Sequence, residues 1–367
     1  MSDSPKSCVL FVPSLIVGGA EKVFVTLANR FAHEGLCVTL LTQGINNELR
    51  QEVNENVTVR SLNVRRSVYA LPSLIRFFVT EKPDIFVSGL QMPNVISSLA
   101  HFMSCSRAKH IVTEHSNSAS QLAEMPGWRR ILMIRAIRWS YKRAAKVVAV
   151  SKGVKECLVT SYAIPCDQVK VIHNPINLAL VRQRSQDSIT HPWFTKTDIP
   201  VAVAVGRLTP AKNFSMLLDA MVAIHKMRPL RLVIVGEGAL RSSLENKIER
   251  LGLSSQVMLL GSQTNPFPYI AQANLLAVSS SREGFSNVIV EALALGTPVV
   301  STNCPSGPAE VLEEGEWGRL TAVDDPNALA EAMLDTLEEE KKVYYRRADA
   351  FSDISIAKQY IKLFFDD

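Results

Sequence analysis

The sequence predicts an α/β protein made of two doubly wound, Rossmann-like domains that face each other across a cleft. The 367 residues are more than one ordinary core accommodates, which favours two domains. Short apolar runs alternate with helical patterns in both halves, as expected for parallel sheets covered by helices on both faces. A polar stretch at residues 181–198 separates the two series and is interpreted as a linker.

The first series predicts an N-terminal domain at residues 1–180. Its first strand, Val9–Pro13, leads through a glycine turn into a helix with apolar spacing from Glu21 to His33, which Gly35 ends. Further short strands are separated mostly by helical stretches. These strands are Val38–Leu41, Val57–Leu62, Ile85–Val87, His110–Thr113 and Val147–Val150.

The second series predicts a C-terminal domain at residues 199–350. Each strand passes into a loop and then a helix, which is the pattern of a doubly wound sheet. Its strands are Pro200–Val205, Leu230–Val235, Val257–Leu260, Leu275–Val278 and Pro298–Ser301. No element is predicted between Arg182 and Asp198. Residues 351–367 are expected to form a helix that returns to the N-terminal domain.

Composition excludes several classes of protein. The six cysteines are scattered without a CxxC pair, which argues against a zinc site or a disulfide framework and favours a reducing compartment. The first apolar run ends at Pro13, and no later run reaches the ~18 residues that span a bilayer. We therefore expect a cytoplasmic protein, peripheral on the inner face of the plasma membrane. Residues 1–195 carry 23 Lys and Arg against 13 Asp and Glu, whereas the remainder is acidic, so the two domains should have different partners.

Two cations follow the first strand of the C-terminal half. Arg207 comes directly after Gly206, and Lys212 lies five residues further on, where the loop enters a helix. A planar guanidinium and a point-like ammonium suit a diphosphate. Because surface pairs of cations are common, the alternative is an ordinary solvated loop.

Two glutamates frame the start of another helix in the same half. Ser286 or Asn287 is expected to cap this helix, and Gly296 to end it. The N–H groups and dipole of a helix start form a natural anion site. Glu291, one turn into the helix, suits ribose hydroxyls, and Glu283, in the preceding loop, suits a sugar. The alternative is a capping glutamate and a surface glutamate.

Glu283 and Glu291, separated by seven residues, resemble the EX7E motif of retaining glycosyltransferases of family 4, which have the GT-B fold. Five further segments resemble that family in its order, and together they extend from about residue 10 to residue 320. These are Gly18-Gly19-Ala20-Glu21, Val148-Ala149-Val150-Ser151, Ile172-His173-Asn174-Pro175-Ile176, Gly206-Arg207-Leu208 with Lys212-Asn213, and Val235-Gly236-Glu237-Gly238.

The resemblance implies a role for each matching residue. Arg207 and Lys212 would neutralise the donor diphosphate as it leaves, Glu291 would hold the ribose, and Glu283 would bind the donor sugar. His115 stands where the family places a histidine beside that sugar, although a lone histidine after a strand is otherwise structural. The implied catalytic group is His115, Glu283, Arg207 and Lys212. The remaining substrate contacts are implied at Gly18, Gly19, Gly206, Gly284, Phe285, Ser286, Asn287 and Glu291.

No cofactor or metal is expected. The sequence has no Asp-x-Asp motif, so protein cations and helix termini must meet the charge of the diphosphate. The resemblance implies retention of anomeric configuration by a front-face mechanism, and a UDP-linked hexose or N-acetylhexosamine as donor. An oxidoreductase interpretation of Gly236-Glu237-Gly238 is poor, because Arg241 stands where the third glycine of GxGxxG belongs. A nucleotide-sugar-binding subunit without activity is the alternative within the same fold.

A basic helical segment points to the acceptor side. Trp128 to Val148 contains no acidic residue, and helical spacing places its cations opposite an apolar face that includes Ile137 and Tyr141. This predicts contact with an anionic membrane or a diphosphate-linked lipid acceptor. The alternative is a solvated helix packed on its own sheet. Nucleic acid is disfavoured as a partner, because the charge is not interleaved with exposed aromatics. The cations are Arg135, Arg138, Lys142, Arg143 and Lys146.

Two short segments extend the resemblance to bacterial members that build on polyprenyl-diphosphate-linked glycans. They are Glu114-His115-Ser116-Asn117 and Cys304-Pro305-Ser306-Gly307-Pro308-Ala309-Glu310. The resemblance implies a growing lipid-linked glycan as acceptor, in the synthesis of surface polysaccharide, O-antigen or glycoprotein oligosaccharide.

Overall fold

The structure, a computed structural model, describes residues 5–16, 18–44, 48–117, 122, 125–195, 198–339 and 344–366. The chain divides into two compact units, residues 1–175 with 353–367 and residues 176–352. Each unit is built on a parallel sheet with helices between its strands, so the prediction of two doubly wound α/β domains is confirmed. Residues 181–198, interpreted as a linker, lie within the second unit.

The first unit alternates strands and helices from its beginning. Its elements are β1 (Ser7–Val12), α1 (Gly19–His33), β2 (Cys37–Thr42), β3 (Thr58–Ser61), α2 (Leu71–Glu81), β4 (Ile85–Gly89), α3 (Gln91–Met103), β5 (Lys109–Glu114), α4 (Gly127–Arg143), β6 (Lys146–Ala149), α5 (Lys152–Tyr162) and β7 (Val169–Val171). Single 3-10 turns lie at Glu48–Glu52 and Ser67–Ala70.

Within the described residues, the first sheet has the order β3-β2-β1-β4-β5-β6-β7, and all its pairs are parallel. Cys8 aligns with Val38 on one side and with Ile85 on the other. Every residue of β4 is buried, as expected for a central parallel strand covered on both faces. The chain runs from β1 outward to β3 and then returns to β4, so the order reverses between β1 and β4.

The final helix, Asp353–Phe365, belongs to the first unit. Its buried face includes Tyr360 and Phe364, whose rings lie 5.9 and 5.1 Å from that of Phe31 on α1. Edge-on aromatic packing of this kind contributes about 0.5–1.5 kcal/mol per pair beyond the burial of area. The C-terminal helix therefore completes the core of a domain whose strands all lie within residues 7–171.

A buried histidine lies at the centre of the first unit. His110, on β5, places Nε2 3.3 Å from Ser88 Oγ and 3.2 Å from Ser97 Oγ, and its ring stacks on that of His101. Burial, with a smaller contribution from the charge of His101, lowers the pKa of His110 to about 3. The ring is therefore neutral in the folded protein across the physiological range.

We expect acid to destabilise the protein through His110. An unfolded histidine binds a proton near pH 6.5, whereas folded His110 resists protonation down to about pH 3. The stabilisation is complete above pH 6.5 and is lost as the pH falls towards 3. Between pH 8 and pH 5 this group alone should remove about 2 kcal/mol from the free energy of unfolding.

Urea unfolding at the two pH values measures this loss. A His110→Gln variant should show a smaller loss than the wild type, and a control variant of the exposed His225, His225→Gln, should match the wild type. Equal pH dependence of the wild type and His110→Gln would show that His110 does not carry the effect.

The second unit repeats the alternation. Its elements are α6 (Leu178–Arg184), β8 (Val201–Val205), α7 (Phe214–His225), β9 (Arg231–Val235), α8 (Arg241–Arg250), β10 (Val257–Gly261), α9 (Phe267–Gln272), β11 (Leu275–Val278), α10 (Asn287–Ala294), β12 (Val299–Thr302), α11 (Pro308–Val311), β13 (Arg319–Thr321), α12 (Pro326–Glu338) and α13 (Tyr345–Ala348). Short 3-10 turns lie at Pro210–Lys212, Glu313–Gly315 and Asp349–Phe351.

Across the residues described in this unit, the strands follow the order β10-β9-β8-β11-β12-β13, and their pairs are parallel. Ala202 of β8 aligns with Leu232 on β9 and with Leu275 on β11. From β8 the chain moves outward to β10, and from β11 it moves outward in the opposite direction. The order therefore reverses between β8 and β11.

The predicted strands are confirmed with shifts of one or two residues at their ends, but two edge strands were missed. β7 and β13 have three residues each, too few for a periodic signal. The expectation of no element from Arg182 onward is wrong for its first three residues. They complete α6, which begins where Asn177 Oδ1 accepts a hydrogen bond from the Leu180 N–H at 3.0 Å. No helix among the described residues is both long and apolar enough to cross a bilayer.

Candidate functional site

The predicted donor residues gather where the second sheet reverses its order. Because crossovers between parallel strands are right-handed as a rule, a reversal of strand order places the helices after β8 and β11 on opposite faces and opens a crevice at the carboxyl ends of these strands. The loop from Gly206 to Asn213 follows β8, and the loop from Ser279 to Ser286 follows β11. This is the position at which ligands bind in open α/β sheets.

The loop after β8 presents both predicted cations. Arg207 is exposed, and its side chain has no ion pair with any residue that the structure describes. Lys212 ends a 3-10 turn, after which Asn213 adopts the left-handed conformation (φ 46°) and occupies the N-cap position before α7. The side-chain amide Nδ2 of Asn213 donates to Asp324 Oδ1 at 2.7 Å, which fixes the end of the loop.

The loop after β11 brings Glu283 onto Lys212. Lys212 Nζ donates to Glu283 Oε1 at 2.6 Å, and Ser280 Oγ donates to the same oxygen at 2.7 Å. The loops are also joined through the backbone, because Ser279 Oγ donates to the Lys212 carbonyl at 2.8 Å and the Ser281 N–H donates to the Ala211 carbonyl at 2.8 Å. The sequence predicted both residues in one site but did not predict that they form an ion pair.

A third loop packs directly against the first. The Leu208 N–H donates to the Glu237 carbonyl at 2.9 Å, which joins the loops after β8 and β9. Gly236, at φ +148°, lies so close to Gly206 that a Cβ built on it would stand 2.0 Å from the Gly206 carbonyl oxygen. Only glycine permits this approach. The Gly236-Glu237-Gly238 segment therefore sets the shape of the site through its backbone.

The start of α10 differs from the expected cap. Ser286 occupies the N-cap position, one of the two predicted, but its side chain makes no capping hydrogen bond, and Asn287 is the first residue of the helix. Ser286 adopts φ 73° and ψ 72°, a left-handed conformation that is uncommon for serine. Its Oγ is buried and has no hydrogen-bond partner among the described residues. A strained backbone and an unsatisfied buried hydroxyl at a helix start are typical of a ligand site.

The other predicted residues of this segment divide between packing and the site. Phe285 is buried, and its ring lies 5.3 Å from that of Phe351, so its side chain belongs to the core. Gly284 is buried beside it. Glu291 is the fifth residue of α10 and is partly buried. The segment thus presents backbone groups, Ser286 and two carboxylates.

Cys304, in the loop after β12, is a further group near the ion pair. Burial, with an added contribution from the nearby charge of Glu283, raises the pKa of the Cys304 thiol to about 12. The positive charge of Lys212 has the opposite effect and lowers the pKa of this thiol. The sequence indicated Cys304 only as part of a segment that resembles the family, and it did not indicate Ser280. The run of three serines that follows β11, at the carboxyl edge of the sheet, is the signal that could have indicated Ser280.

In the first unit, the predicted glycine loop precedes α1. Gly18 is extended, and the helix begins at Gly19. A Cβ on Gly18 would meet the carboxylate of Glu21 at 2.3 Å, a contact that a flexible side chain relieves. Both glycines follow β1, where the first sheet reverses its order. Their approach to donor phosphates remains a prediction.

His115 follows β5 at the same edge of the first sheet. Its Nε2 lies 3.0 Å from Thr113 Oγ1, which itself donates to the Ser88 carbonyl at 3.0 Å. Because a hydroxyl has one proton, Nε2–H must be the donor, which leaves Nδ1 as an acceptor. Burial lowers the pKa of His115 to about 4, and the side chain of Asn174 opposes the shift. His115 is therefore a neutral hydrogen-bonding group.

The residue before His115 is held by α4. Glu114 is buried; Tyr141 donates to its Oε2 at 2.7 Å, and Ser116 Oγ donates to its Oε1 at 3.1 Å. Burial raises the pKa of Glu114, and these donors oppose the shift. Tyr141 also receives a hydrogen bond from Asn94 at 3.0 Å. The network joins α3, α4 and the loop that carries His115.

The basic helix is shorter than expected. Lys146 lies on β6 rather than on the helix, because α4 ends at Arg143 and Ala144 turns the chain into the sheet. The guanidinium of Arg143 stacks over the rings of Phe102 and Trp139, at 4.5 and 4.9 Å from their centroids. Arg135, Arg138 and Lys142 are exposed as expected. The first turns of α4 also expose large apolar side chains, which the predicted faces did not include.

Both units match known sequence families. Residues 17–180 match Glycosyltransferase Family 4, and residues 199–339 match the glycosyl transferases of group 1. Among curated proteins, a Campylobacter jejuni enzyme is 28% identical and covers 96% of this chain and 98% of its own length. That relative is an N-acetylgalactosamine-N,N'-diacetylbacillosaminyl-diphospho-undecaprenol 4-alpha-N-acetylgalactosaminyltransferase.

A second relative and a solved structure extend the similarity. The N-acetyl-alpha-D-glucosaminyl L-malate synthase of Bacillus anthracis is 23% identical over 95% of this chain and 94% of that enzyme. The crystal structure of Anabaena HepE in complex with UDP-glucose superposes with a TM-score of 0.81 at 21% identity, and covers 97% of this chain and 98% of that one. At this identity the structural likeness establishes the fold.

Proposed function

The chain belongs to glycosyltransferase family 4 and has the GT-B fold, and within that family we propose that it transfers a hexose or N-acetylhexosamine from a UDP-sugar to a polyprenyl-diphosphate-linked glycan. The transfer retains the anomeric configuration and needs no divalent metal. The observation that carries the proposal is the arrangement of Arg207, Lys212, Glu283 and Ser286 at the reversal point of the second sheet.

The cations support a metal-independent departure of the diphosphate. As the bond between the sugar and the phosphate breaks, negative charge grows on the leaving diphosphate, and Arg207 and Lys212 would stabilise it. The N-terminus of α10 adds backbone N–H groups and a favourable dipole. Within the described part of the chain, no cluster of three or more His, Cys, Asp or Glu side chains could hold a metal ion.

The two carboxylates suit the neutral hydroxyls of the donor. Glu291, within α10, would accept hydrogen bonds from the ribose, and Glu283 would accept them from the sugar. In the first unit, His115 would contact the sugar through the unprotonated Nδ1, since its lowered pKa keeps the ring neutral. A neutral imidazole orients a hydroxyl without adding a charge.

The relatives support the donor and acceptor classes. The Campylobacter jejuni relative acts on a diphospho-undecaprenol-linked sugar, and Anabaena HepE binds UDP-glucose. The Bacillus anthracis relative is instead named for the synthesis of an N-acetyl-alpha-D-glucosaminyl L-malate, so the relatives are not all named for lipid-linked glycans. A lipid-linked acceptor is favoured here because the first unit also has a cationic, partly apolar helix.

A transfer assay tests the proposal. Purified protein is given a panel of UDP-sugars and a polyprenyl-diphosphate-linked sugar, with and without EDTA, and the product's anomeric configuration is read by NMR. We expect α-linked product from an α-linked donor, undiminished by EDTA, and none from Glu283→Ala. Equal turnover by the wild type and Glu283→Ala would contradict the site assignment, and an inverted product would contradict the stereochemistry.

The start of α4, in the first unit, would contact an anionic lipid surface that carries the acceptor. At the start of α4, Trp128, Ile131 and Leu132 are 63%, 51% and 55% exposed, and they lie at the i, i+3, i+4 spacing of one helix face. Arg129 stands over the ring of Trp128 at 5.1 Å. Apolar side chains that include a tryptophan, bordered by arginines, are typical of helices that lie in a membrane interface.

We expect the salt concentration to distinguish the apolar contribution to vesicle binding from the electrostatic contribution. Replacing Trp128, Ile131 and Leu132 with serine should lower binding to vesicles with anionic headgroups by at least about tenfold at both low and high salt. Reversing the charges of Arg135, Arg138 and Lys142 should weaken binding mainly at low salt, where screening is small. Co-sedimentation with vesicles measures both effects.

Met227→Ser is the matched control, because Met227 is 74% exposed and lies in the second unit. It should bind vesicles like the wild type. If the triple serine variant also sediments like the wild type, the start of α4 is not a membrane contact.

A further inference from the structure

The ion pair between Lys212 and Glu283 joins the two groups that the proposed function assigns to different parts of the donor. Lys212 is assigned to the diphosphate and Glu283 to the sugar, yet their charged atoms lie 2.6 Å apart. The side chains are only 23% and 11% exposed, so solvent screens the pair weakly. One cation cannot serve the carboxylate and a diphosphate equally well.

The geometry allows the lysine to move while the carboxylate stays. The loops that carry the two residues are joined by the hydrogen bonds from Ser279 and Ser281, so their backbones are fixed relative to each other. The stem of Lys212 passes over Gly206, where a Cβ would stand 3.1 Å from Cε. A flexible four-carbon stem lying on a glycine can swing to a new partner without a change in the loops.

Ser280 holds the carboxylate independently of the lysine. It is buried, and its hydroxyl donates to Glu283 Oε1, the same oxygen that Lys212 contacts. Oε2 of Glu283 accepts no hydrogen bond from any residue that the structure describes. If Lys212 moves, Ser280 still fixes the carboxylate, and both oxygens can then accept from sugar hydroxyls.

The nearby thiol does not compete for the lysine. Cys304 lies close enough for both charges to act on it, and its raised pKa of about 12 keeps it neutral at physiological pH. An uncharged thiol offers Lys212 no ionic partner. The competition for the cation is therefore between Glu283 and an incoming anion.

We propose that the donor diphosphate takes Lys212 from Glu283, so that binding of the diphosphate releases the carboxylate to recognise the sugar, with Ser280 as the positioning residue that holds it in place. This inference rests on the proposed function. Until the exchange occurs, Glu283 opposes diphosphate binding, because it occupies the lysine. The released carboxylate of Glu283 gains new hydrogen-bond partners, the sugar hydroxyls, only when a sugar accompanies the diphosphate.

The exchange predicts a gain of affinity from a substitution in the site. Glu283→Gln keeps the shape and releases Lys212, so UDP should bind about tenfold more tightly than to the wild type, while transfer falls steeply. The wild type should prefer a UDP-sugar over UDP, and Glu283→Gln should lose that preference. Isothermal titration with UDP and with the UDP-sugar used in transfer measures both.

A double-substitution cycle separates exchange from simple repulsion. Lys212→Gln should weaken UDP binding, and adding Glu283→Gln to it should change the dissociation constant by less than about twofold, because no lysine remains to be released. Repulsion of the diphosphate by Glu283 alone would give the full gain in both backgrounds. A gain of equal size in both backgrounds, or no gain in the wild-type background, overturns the proposal.

Asp219→Asn is the matched control for removing a lysine's partner. Asp219 pairs with Lys247 at 2.7 Å in the same unit, and loss of the Asp219 carboxylate should leave UDP affinity unchanged.

Ser280→Ala should keep UDP affinity within about twofold but lower kcat about tenfold. Ser280→Thr, which keeps the hydroxyl, should restore most of the lost kcat. Equal loss in Ser280→Ala and Ser280→Thr would remove the positioning role. Thermal melting confirms that each variant is folded.

Loss of the donor site and loss of the lysine exchange give different binding results. A folded wild type that binds neither UDP nor a UDP-sugar removes the proposed donor site itself. A wild type that binds UDP, with a Glu283→Gln variant that binds it no better, leaves the donor site in place and removes the exchange.

Discussion

Lys212→Ala is expected to lower kcat/KM for sugar transfer by about 10²- to 10³-fold, or roughly 3–4 kcal/mol of transition-state stabilisation. The Lys212 ammonium lies at the reversal point of the second sheet, where the diphosphate would leave, and its positive charge would stabilise the negative charge that develops there. In this variant Ser280 is the side-chain donor that still holds Glu283 among the described residues, so sugar recognition should suffer as well. Steady-state kinetics with saturating acceptor measure the loss.

Lys247→Ala is the control for this prediction. Lys247, on α8 of the same unit, forms a similar partly buried ion pair with Asp219. It lies outside the proposed site. We expect its kcat/KM to stay within about twofold of the wild type. If Lys212→Ala loses no more activity than Lys247→Ala, Lys212 does not stabilise the leaving group.

Gly236→Ala is expected to abolish nucleotide binding and to cost about 3 kcal/mol or more of stability. The added methyl would stand 2.0 Å from the Gly206 carbonyl oxygen, and the φ of +148° is unfavourable for any residue with a Cβ. The clash is with backbone, so the loop after β8, which carries Arg207 and Lys212, must shift. UDP titration and urea unfolding measure the two losses.

Gly252→Ala separates the clash from the backbone strain. Gly252 also has a positive φ, of +70°, but a Cβ there would meet no atom within 4 Å. We expect a loss of about 1–2 kcal/mol in stability, from the strain alone, and unchanged UDP affinity. Similar UDP affinities for Gly236→Ala and Gly252→Ala would show that the close approach of the two loops does not shape the site.

The sequence predicts the fold well because its signal is local and repeated. Each buried strand is a run of apolar residues, and each is followed by a glycine or polar loop and a helix, so the two doubly wound sheets follow from the pattern. The signal fails for β7 and β13, which are too short to show a period. It also fails for α6, whose Asn177 cap lies ahead of the polar stretch that suggested a linker.

The rest of the expected linker shows why composition misleads. His191, Trp193 and Phe194 pack against the sheet edge of the second unit, with His191 Nε2 2.9 Å from Met258 Sδ and Arg231 over the ring of Trp193 at 5.1 Å. These partners are far away in the sequence, so no local pattern contains them. An aromatic cluster holds a segment that has no helix or strand.

The site was predicted in its residues but not in its contacts. Strand ends and the glutamate spacing indicate Arg207, Lys212, Glu283 and Glu291, because parallel strands bring their carboxyl ends to one edge. The ion pair between Lys212 and Glu283 joins residues 71 positions apart and depends on side-chain conformations. The left-handed Ser286 likewise departs from the capping rule, and such departures concentrate at functional sites.

A crystal structure of the protein with UDP tests the central claim most directly. We predict that the diphosphate contacts Lys212 Nζ and the Arg207 guanidinium beside the start of α10, that the ribose contacts Glu291, and that Lys212 has left Glu283. UDP bound away from the carboxyl ends of β8 and β11, with Arg207 and Lys212 untouched, would contradict the assignment of the donor site.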